Sequence, residues 1–231
     1  MATSNPASLS LRLRQLKLPA FVEHHEELSV RAEREGLGFQ DCLAHLVEIE
    51  LSGREERKVE RLRKRSGLPS DKTLANLTLE KLDPKVRRQL QALCEGGFVE
   101  RTENVLAFGM PGRGKSHVIS AIGHELVARG ISVLWRPACH LVQQLLAAKR
   151  DLKLEAELRK LDRFEVIVLD DIGYISQNRE EMEVLFTLLA ERYERRSVMI
   201  TSNLVFSKWD RIFKDAMTTA AAIDRLVHHS I

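Results

Sequence analysis

Aromatic residues and cysteines are scarce in this chain. Aromatic side chains make up 5% of its 231 residues, and the cysteines are Cys42, Cys94 and Cys139. Three scattered cysteines without metal-site spacing argue against a disulfide-stapled secreted fold and indicate reduced thiols. No apolar run is long enough to span a membrane, and the first residues lack the apolar core of a secretory signal. These absences predict a cytoplasmic protein with no membrane partner.

The sequence also lacks an excess of either charge. Lys and Arg number 36 against 33 Asp and Glu, which leaves a net charge of +3. This balance does not demand a nucleic-acid partner, so any basic binding surface must be local. Hydrophobic residues make up 44% of the chain, enough for a sizeable core. The length suggests one large domain, or one domain plus a small one.

The most informative segment begins with the short apolar run Val105–Phe108, which predicts a buried strand. A complete phosphate-loop pattern of glycines, lysine and serine follows, and then apolar residues at helical spacing. This context predicts a nucleotide site in which Lys115 contacts the β- and γ-phosphates and Ser116 holds Mg²⁺. The residues predicted to bind the nucleotide are Gly109, Met110, Pro111, Gly112, Arg113, Gly114, Lys115, Ser116 and His117.

Acidic and amide side chains end two later apolar runs. Val166–Leu169 is followed by Asp170 and Asp171. After a phosphate loop, Asp170 is predicted to support Mg²⁺ and Asp171 to orient the attacking water. The alternative is a helix-capping or turn pair of aspartates. Asn203 ends the run that starts at Val198 and could hold a water or the γ-phosphate, although an asparagine there is often only a turn residue.

The order of the predicted elements indicates the fold class. Strands and helices alternate from Val105 onward, which predicts an α/β domain with a parallel sheet and ligands beyond the carboxyl ends of its strands. Residues 1–65 have helical patterns interrupted at Pro19 and Gly36. Ser66–Ser70 is a turn-rich boundary. We therefore expect a helical N-terminal domain over 1–65 and an α/β domain over 66–231.

Two basic clusters are candidate contacts for the DNA backbone. One comprises Arg54, Arg57, Lys58 and Arg61, which share a face of a predicted helix. The alternative for this cluster is a solvated, salt-bridged linker helix, since Glu55, Glu56 and Glu60 are interleaved, and the pattern does not decide between them. The second cluster comprises Lys149, Arg150 and Lys153.

Several motifs together resemble one family. They are Glu103–Val105, Gly109–Ser116, Leu145–Lys149, Leu169–Tyr174, Arg192–Arg195, Ile200–Asn203 and Asp224–His229. The chain resembles the IstB-like helper ATPases of bacterial transposons and, more distantly, the DnaC-type helicase loaders, both of the AAA+ superfamily. The resemblance implies a three-layer P-loop NTPase domain, with Asn203 at the sensor-1 position. It also implies that Arg225 is an arginine finger that reaches the nucleotide of a neighbouring subunit.

The resemblance further implies a Mg²⁺- and ATP-dependent ATPase that binds double-stranded DNA and assists a transposase encoded nearby. ATP and DNA would promote a homo-oligomer, and residues 1–65 would bind DNA or a partner. Relatives usually continue into a sensor-2 segment, which we expect to be missing because the sequence stops at Ile231. The alternatives are a replicative helicase loader and a small-molecule P-loop kinase.

Overall fold

The computed structural model describes residues 6–174, 179–204, 209, 224, 226–227 and 230–231. The chain forms two compact units, Met1–Glu60 and Arg61–Ile231. No helix in the described part of the chain is long and apolar enough to cross a membrane.

The first unit is helical. It contains α1 (Pro6–Gln15), α2 (Pro19–Glu35) and the larger part of α3 (Phe39–Ser66), a helix that continues into the second unit. Pro19 lies in the first turn of α2, where its missing N–H costs nothing. Gly36 ends α2 with φ of 68°, in the left-handed region that glycine adopts without strain. The predicted helix boundaries at Pro19 and Gly36 are therefore confirmed.

A buried carboxylate holds α2 and α3 of this unit together. Glu50 is only 4% exposed, and its Oε2 accepts a hydrogen bond from the backbone N–H of Ala20 at 2.9 Å. Its Oε1 accepts from Arg54 at 2.7 Å and from Arg57 at 3.4 Å. These contacts hold the pKa of Glu50 below its usual value, chiefly through the hydrogen bond from Arg54. Within the described part of this unit, Ala20 and Leu28 are the fully buried apolar side chains, so the polar cluster supplements a small core.

The described residues of the second unit form a parallel sheet of four strands in the order β1-β4-β3-β2. This sheet confirms the predicted fold class. Its elements are a 3₁₀ turn (Leu79–Lys81), α4 (Pro84–Glu95), α5 (Gly97–Glu100), β1 (Val105–Phe108), α6 (Lys115–Ala128), β2 (Val133–Pro137), α7 (Ala138–Arg150), α8 (Leu154–Leu161), β3 (Val166–Asp170), a 3₁₀ turn (Ile172–Tyr174), α9 (Arg179–Arg192) and β4 (Ser197–Ser202).

Helices cover both faces of the sheet. Ile167 and Leu169 of β3 pack in one buried cluster with residues of α7 and α9. Val166 and Val168 alternate with them and are equally buried, but they lie outside that cluster. Successive side chains of a strand point to opposite faces, and α6 contacts β1, β2 and β4. We conclude that α6 lies on the face opposite α7 and α9, which gives the predicted three layers.

A buried arginine fixes the amino ends of two strands. Arg192 is 2% exposed, and its guanidinium donates to the carbonyls of Leu161, Phe164, Glu165 and Ser197 at 3.0–3.4 Å. Burial lowers the pKa of Arg192 to about 9, so the side chain stays protonated at neutral pH. It therefore stabilises the chain segments that enter β3 and β4.

Candidate nucleotide site

Three strands of the sheet deliver the predicted site residues to the same edge. Phe108 of β1 is paired with Ser202 of β4, and the N–H of Gly109 donates to the Ser202 carbonyl at 3.2 Å. On the other side of β4, Leu169 of β3 is paired with Ile200. The strands are parallel, so the loop after β1, the aspartates at the end of β3 and Asn203 after β4 all lie at the carboxyl edge.

The loop between β1 and α6 is an open cradle. Gly112 and Gly114 have φ of 75° and 80°, and a Cβ added at either position would meet no atom within 4 Å. Helix α6 begins at Lys115, so its first N–H groups border the loop and add partial positive charge. The ammonium of Lys115 donates to the carbonyl of Met110 at 3.0 Å. This geometry suits an anion with several oxygens.

A cavity of about 330 Å³ joins the loop to the polar strand ends. It brings together the loop, one carboxylate, one amide and a lysine that the sequence analysis does not predict. The residues that line it are Lys72, Pro111, Gly112, Gly114, Lys115, Ser116, His117, Asp171 and Asn203. Of the predicted cluster, Asp170 is absent from this lining.

Thr201 connects the two aspartates. Its hydroxyl donates to Oδ1 of Asp170 at 2.6 Å, and it accepts from the backbone N–H of Asp171 at 2.8 Å. Asp170 is 7% exposed and does not line the cavity, whereas Asp171 does. The sequence analysis does not assign a role to Thr201. A hydroxyl within an otherwise apolar strand, next to the strand that ends in the aspartates, is the signal that could have indicated it.

Asp171 is perturbed in both backbone and charge. Its φ is 57°, a left-handed conformation that aspartate tolerates better than most residues. Burial and the neighbouring Asp170 raise the pKa of Asp171, while Lys115 and Lys72 oppose that shift. The carboxylate therefore sits where a cation or a proton would stabilise it.

Asn203 is held close to a glycine. Its Oδ1 is buried and has no hydrogen-bond partner among the described residues. Gly173, in the 3₁₀ turn after β3, lies so near that an added Cβ would collide with Oδ1 of Asn203. A glycine at this position allows the amide to border the cavity.

These residues fit ATP and Mg²⁺. The glycine cradle has room for phosphates, and the unpartnered amide oxygen of Asn203 can accept a hydrogen bond from a ligand or water. No group of three or more His, Cys, Asp or Glu side chains that could bind a metal occurs among the described residues. Mg²⁺ usually binds through one or two protein oxygens together with phosphate and water, and Ser116 and Asp170 each offer such an oxygen.

A larger cavity of about 680 Å³ lies on another side of the loop. Its walls are mainly apolar side chains of α4, β1 and α6, and it contains neither aspartate of the acidic pair nor Asn203. Met110 and Arg113 border this cavity, as do Gly109 and Lys115. The polar chemistry is therefore concentrated in the smaller cavity.

The imidazole of His117 bonds to the carbonyl of Thr73 at 3.0 Å, which leaves the backbone of His117 as its means of contacting a phosphate.

Two members of each basic cluster form ion pairs with acidic side chains. Lys149 and Arg150 of α7 form ion pairs with Glu183 and Glu180 of α9 at 2.8 and 3.9 Å, and Lys153 is the N-cap residue of α8. On α3, Arg54 and Arg57 bind the buried Glu50, whereas Lys58 and Arg61 are exposed. Their role in DNA binding stays a prediction. Arg225 lies outside the described residues.

The family comparison decides the identity of the chain. The model of the IstB-like ATP binding protein family matches residues 11–231. The chain belongs to this family. An insertion sequence ATP-binding protein of Sinorhizobium fredii is 39% identical over 229 residues, which cover 99% of this chain and 77% of the relative. The insertion sequence IS21 ATP-binding protein of Pseudomonas aeruginosa is also 39% identical, over 96% of this chain and 84% of its own length.

Solved structures show the same fold at low sequence identity. The crystal structure of DnaI is similar with a TM-score of 0.59 and 18% identity, over 72% of this chain and 93% of that one. The AMPPCP-bound DnaA of Aquifex aeolicus also has a TM-score of 0.59, with 17% identity, over 72% of this chain and 50% of that one. The IstB-like chain therefore has the P-loop AAA+ fold that its sequence predicts.

Proposed function

We propose that this IstB-like chain is a Mg²⁺-dependent ATPase that binds double-stranded DNA and assists a transposase. The observation that supports ATP hydrolysis most is the cavity of about 330 Å³. It collects an open phosphate loop, Asp171 and Asn203, whose Oδ1 has no hydrogen-bond partner among the described residues, within one space. Membership in the family of IstB-like ATP binding proteins supports the choice of nucleotide.

The residues that line the cavity and those next to them have different roles in binding and hydrolysis. Lys115 and the N–H groups at the start of α6 bind the phosphates, and the ammonium leaves the Met110 carbonyl to do so. Asp171 orients the attacking water and accepts its proton, and its raised pKa suits a proton acceptor. Asn203 offers an amide to the water or the γ-phosphate. Thr201 fixes the backbone of Asp171 and the carboxylate of Asp170 relative to each other.

Ser116 and Asp170 would hold Mg²⁺. When bound, the ion would neutralise charge on the phosphate oxygens. Asp170 keeps one oxygen in the hydrogen bond from Thr201, so its other oxygen is the one available for a metal or its water. The acidic pair is thereby divided between a metal ligand that does not line the cavity and a water-orienting group that does.

The names of the relatives support the biological role. Relatives at 39% identity are named as insertion sequence proteins, and we infer a transposase partner encoded nearby. The likeness to DnaI is one of fold at 18% identity, so a helicase-loading role has less support. DNA would contact the exposed Lys58 and Arg61 and the second cluster, Lys149, Arg150 and Lys153. ATP and DNA would promote a homo-oligomer, with Arg225 of one subunit reaching the nucleotide of the next.

One experiment tests this function against a small-molecule kinase. ATP turnover by the full chain should rise severalfold on addition of double-stranded DNA, and it should depend on Mg²⁺. Asp171→Asn, which keeps the fold and the phosphate loop, is the matched control and should show little turnover with or without DNA. DNA-independent turnover that requires a small phosphate acceptor would contradict the proposal.

A further inference from the structure

The segment before α4 contributes a side chain to the cavity beside the phosphate loop. Residues Leu68–Thr73 are fastened along α6, the helix that follows the phosphate loop. The imidazole of His124 bonds to the carbonyl of Pro69 at 2.9 Å, and that of His117 bonds to the carbonyl of Thr73 at 3.0 Å. Gly123 of α6 leaves room for Leu68, because a Cβ there would lie 2.8 Å from a Leu68 methyl carbon. The contacts recur along one face of α6.

The fastened segment is also ordered internally. The N–H of Lys72 donates to the carbonyl of Pro69 at 3.2 Å. The side-chain amide of Asn76 donates to the carbonyl of Asp71 at 2.8 Å, and its backbone N–H donates to the carbonyl of Thr73 at 3.3 Å. Backbone that is tied in this way presents its side chains in a defined direction. These hydrogen bonds therefore give Lys72 a defined position beside the cavity.

Lys72 borders the same cavity as Lys115, Asp171 and Asn203. It is partly buried. The ammonium of Lys72 belongs to the same cavity as Asp171 and the phosphate loop. The anion that it can bind there is the terminal phosphate of the nucleotide.

We propose that Lys72 binds the terminal phosphate of ATP as a second cation of the site, held in place by His117 and His124. The inference rests on the proposed ATP site. It adds a residue from a segment that precedes β1, whereas the phosphate loop supplies the other lysine. Lys72 distinguishes ATP from ADP in this arrangement, because ADP lacks the phosphate that its ammonium contacts.

Calorimetric titration with MgATP and MgADP tests the role of Lys72. Lys72→Met should weaken MgATP binding by about tenfold or more, the order expected for a lost charge-assisted hydrogen bond, and should change MgADP affinity much less. Lys72→Arg should retain most of the preference for ATP. Lys81→Met is the matched control, since Lys81 borders the larger cavity and not the smaller one, and its affinities should equal those of the wild type.

The outcomes separate this inference from the ATP site itself. If the wild type binds MgATP and Lys115→Ala abolishes binding, but Lys72→Met binds MgATP as the wild type does, the role of Lys72 is wrong and the ATP site stands. An equal loss of MgATP and MgADP affinity in Lys72→Met would also overturn it. A wild type that binds no nucleotide would overturn the proposed function together with the inference. Thermal unfolding of each variant confirms that the comparison is between folded proteins.

Discussion

At the scale of single residues, the site contains side chains whose backbone conformation or burial lowers the stability of the folded protein. Asp171 adopts φ of 57° beside a second aspartate, and Asn203 keeps a buried oxygen without a partner among the described residues. Both features oppose stability and favour a ligand that supplies positive charge or a hydrogen-bond donor. The same residues are those that the sequence marks as polar endings of apolar strands.

Asp171→Asn should abolish most ATP turnover and yet raise the melting temperature. Asparagine tolerates the left-handed backbone and removes the repulsion from Asp170. The pKa of Asp171 is raised in the folded state above the ordinary 3.8, so its ionisation destabilises the fold once the pH exceeds the folded-state pKa. The gain in melting temperature should therefore be present at pH 7 and disappear below about pH 3.8, where both states are protonated.

Calorimetric melting of Asp171→Asn across this pH range, beside a turnover assay at pH 7, measures both effects. Glu183→Gln on α9, an exposed carboxylate paired with Lys149, is the control and should change neither the melting temperature nor turnover appreciably. A variant that turns over ATP like the wild type would show that another group orients the water.

At the scale of elements, the apolar runs were enough to predict the sheet. The run Val105–Phe108 has the bounds of β1, because all of its residues are at least partly buried and the loop begins at once. The second strand, β2, spans Val133–Pro137. Its pairing with Val166–Asp170 of β3 determines its limits, and such pairing is not visible in one segment of sequence.

Contacts between distant segments explain what the sequence could not predict about the site. Thr201 reaches Asp170 and Asp171 only because β3 and β4 pair in a particular register. Lys72 reaches the cavity only because Leu68–Thr73 is fastened to α6. Neither the contacts of Thr201 nor the position of Lys72 can be predicted from the spacing of residues along the chain. By contrast, the phosphate loop is contiguous, so its residues could be predicted together.

Gly173→Ala tests the element that follows β3. The new methyl group would collide with Oδ1 of Asn203 and displace its amide, so turnover should fall by roughly tenfold or more while MgATP affinity changes little. Turnover and titration measurements on Gly173→Ala and Asn203→Ala, alone and combined, provide the check. If the glycine acts through Asn203, adding Gly173→Ala to Asn203→Ala should cause little further loss. Fully additive losses would show that Gly173 acts by another route.

The basic clusters of α3 and α7 can be tested by charge reversal. Lys58 and Arg61 are chosen on α3 because Arg54 and Arg57 bind the buried Glu50. Reversing these two, or the set Lys149, Arg150 and Lys153, to glutamate should weaken binding to unrelated DNA sequences alike. Each lost phosphate contact should flatten the slope of log affinity against log salt by about 0.9. The ion pairs of Lys149 and Arg150 are exposed and weak enough to be exchanged for phosphates.

A matched control for the clusters reverses Lys85 and Arg88 on α4, two exposed basic residues outside both clusters. Fluorescence anisotropy over a range of salt concentrations gives the slopes. If the cluster variants and the α4 control give the wild-type slope, the clusters are only solvated surfaces.

At the scale of the whole molecule, hydrolysis should require contact between subunits. Arg225 lies outside the described residues, and its role follows from the family resemblance alone. Arg225→Ala should bind MgATP normally but hydrolyse it roughly 10³- to 10⁵-fold more slowly, as when an arginine finger is lost. Mixing it with Lys115→Ala should restore some turnover, because each variant supplies what the other lacks. A mixture that forms mixed oligomers and stays inactive would refute this role.

The central claim is that the cavity beside the phosphate loop is an ATP site, and titration calorimetry of the full chain with MgATP tests it most directly. The wild type should bind one MgATP per chain. Lys115→Ala should lose about tenfold or more in affinity, since it removes a cation that contacts the phosphates, with an unchanged melting temperature in the absence of nucleotide. Equal MgATP affinity and equal turnover in wild type and Lys115→Ala would contradict the account.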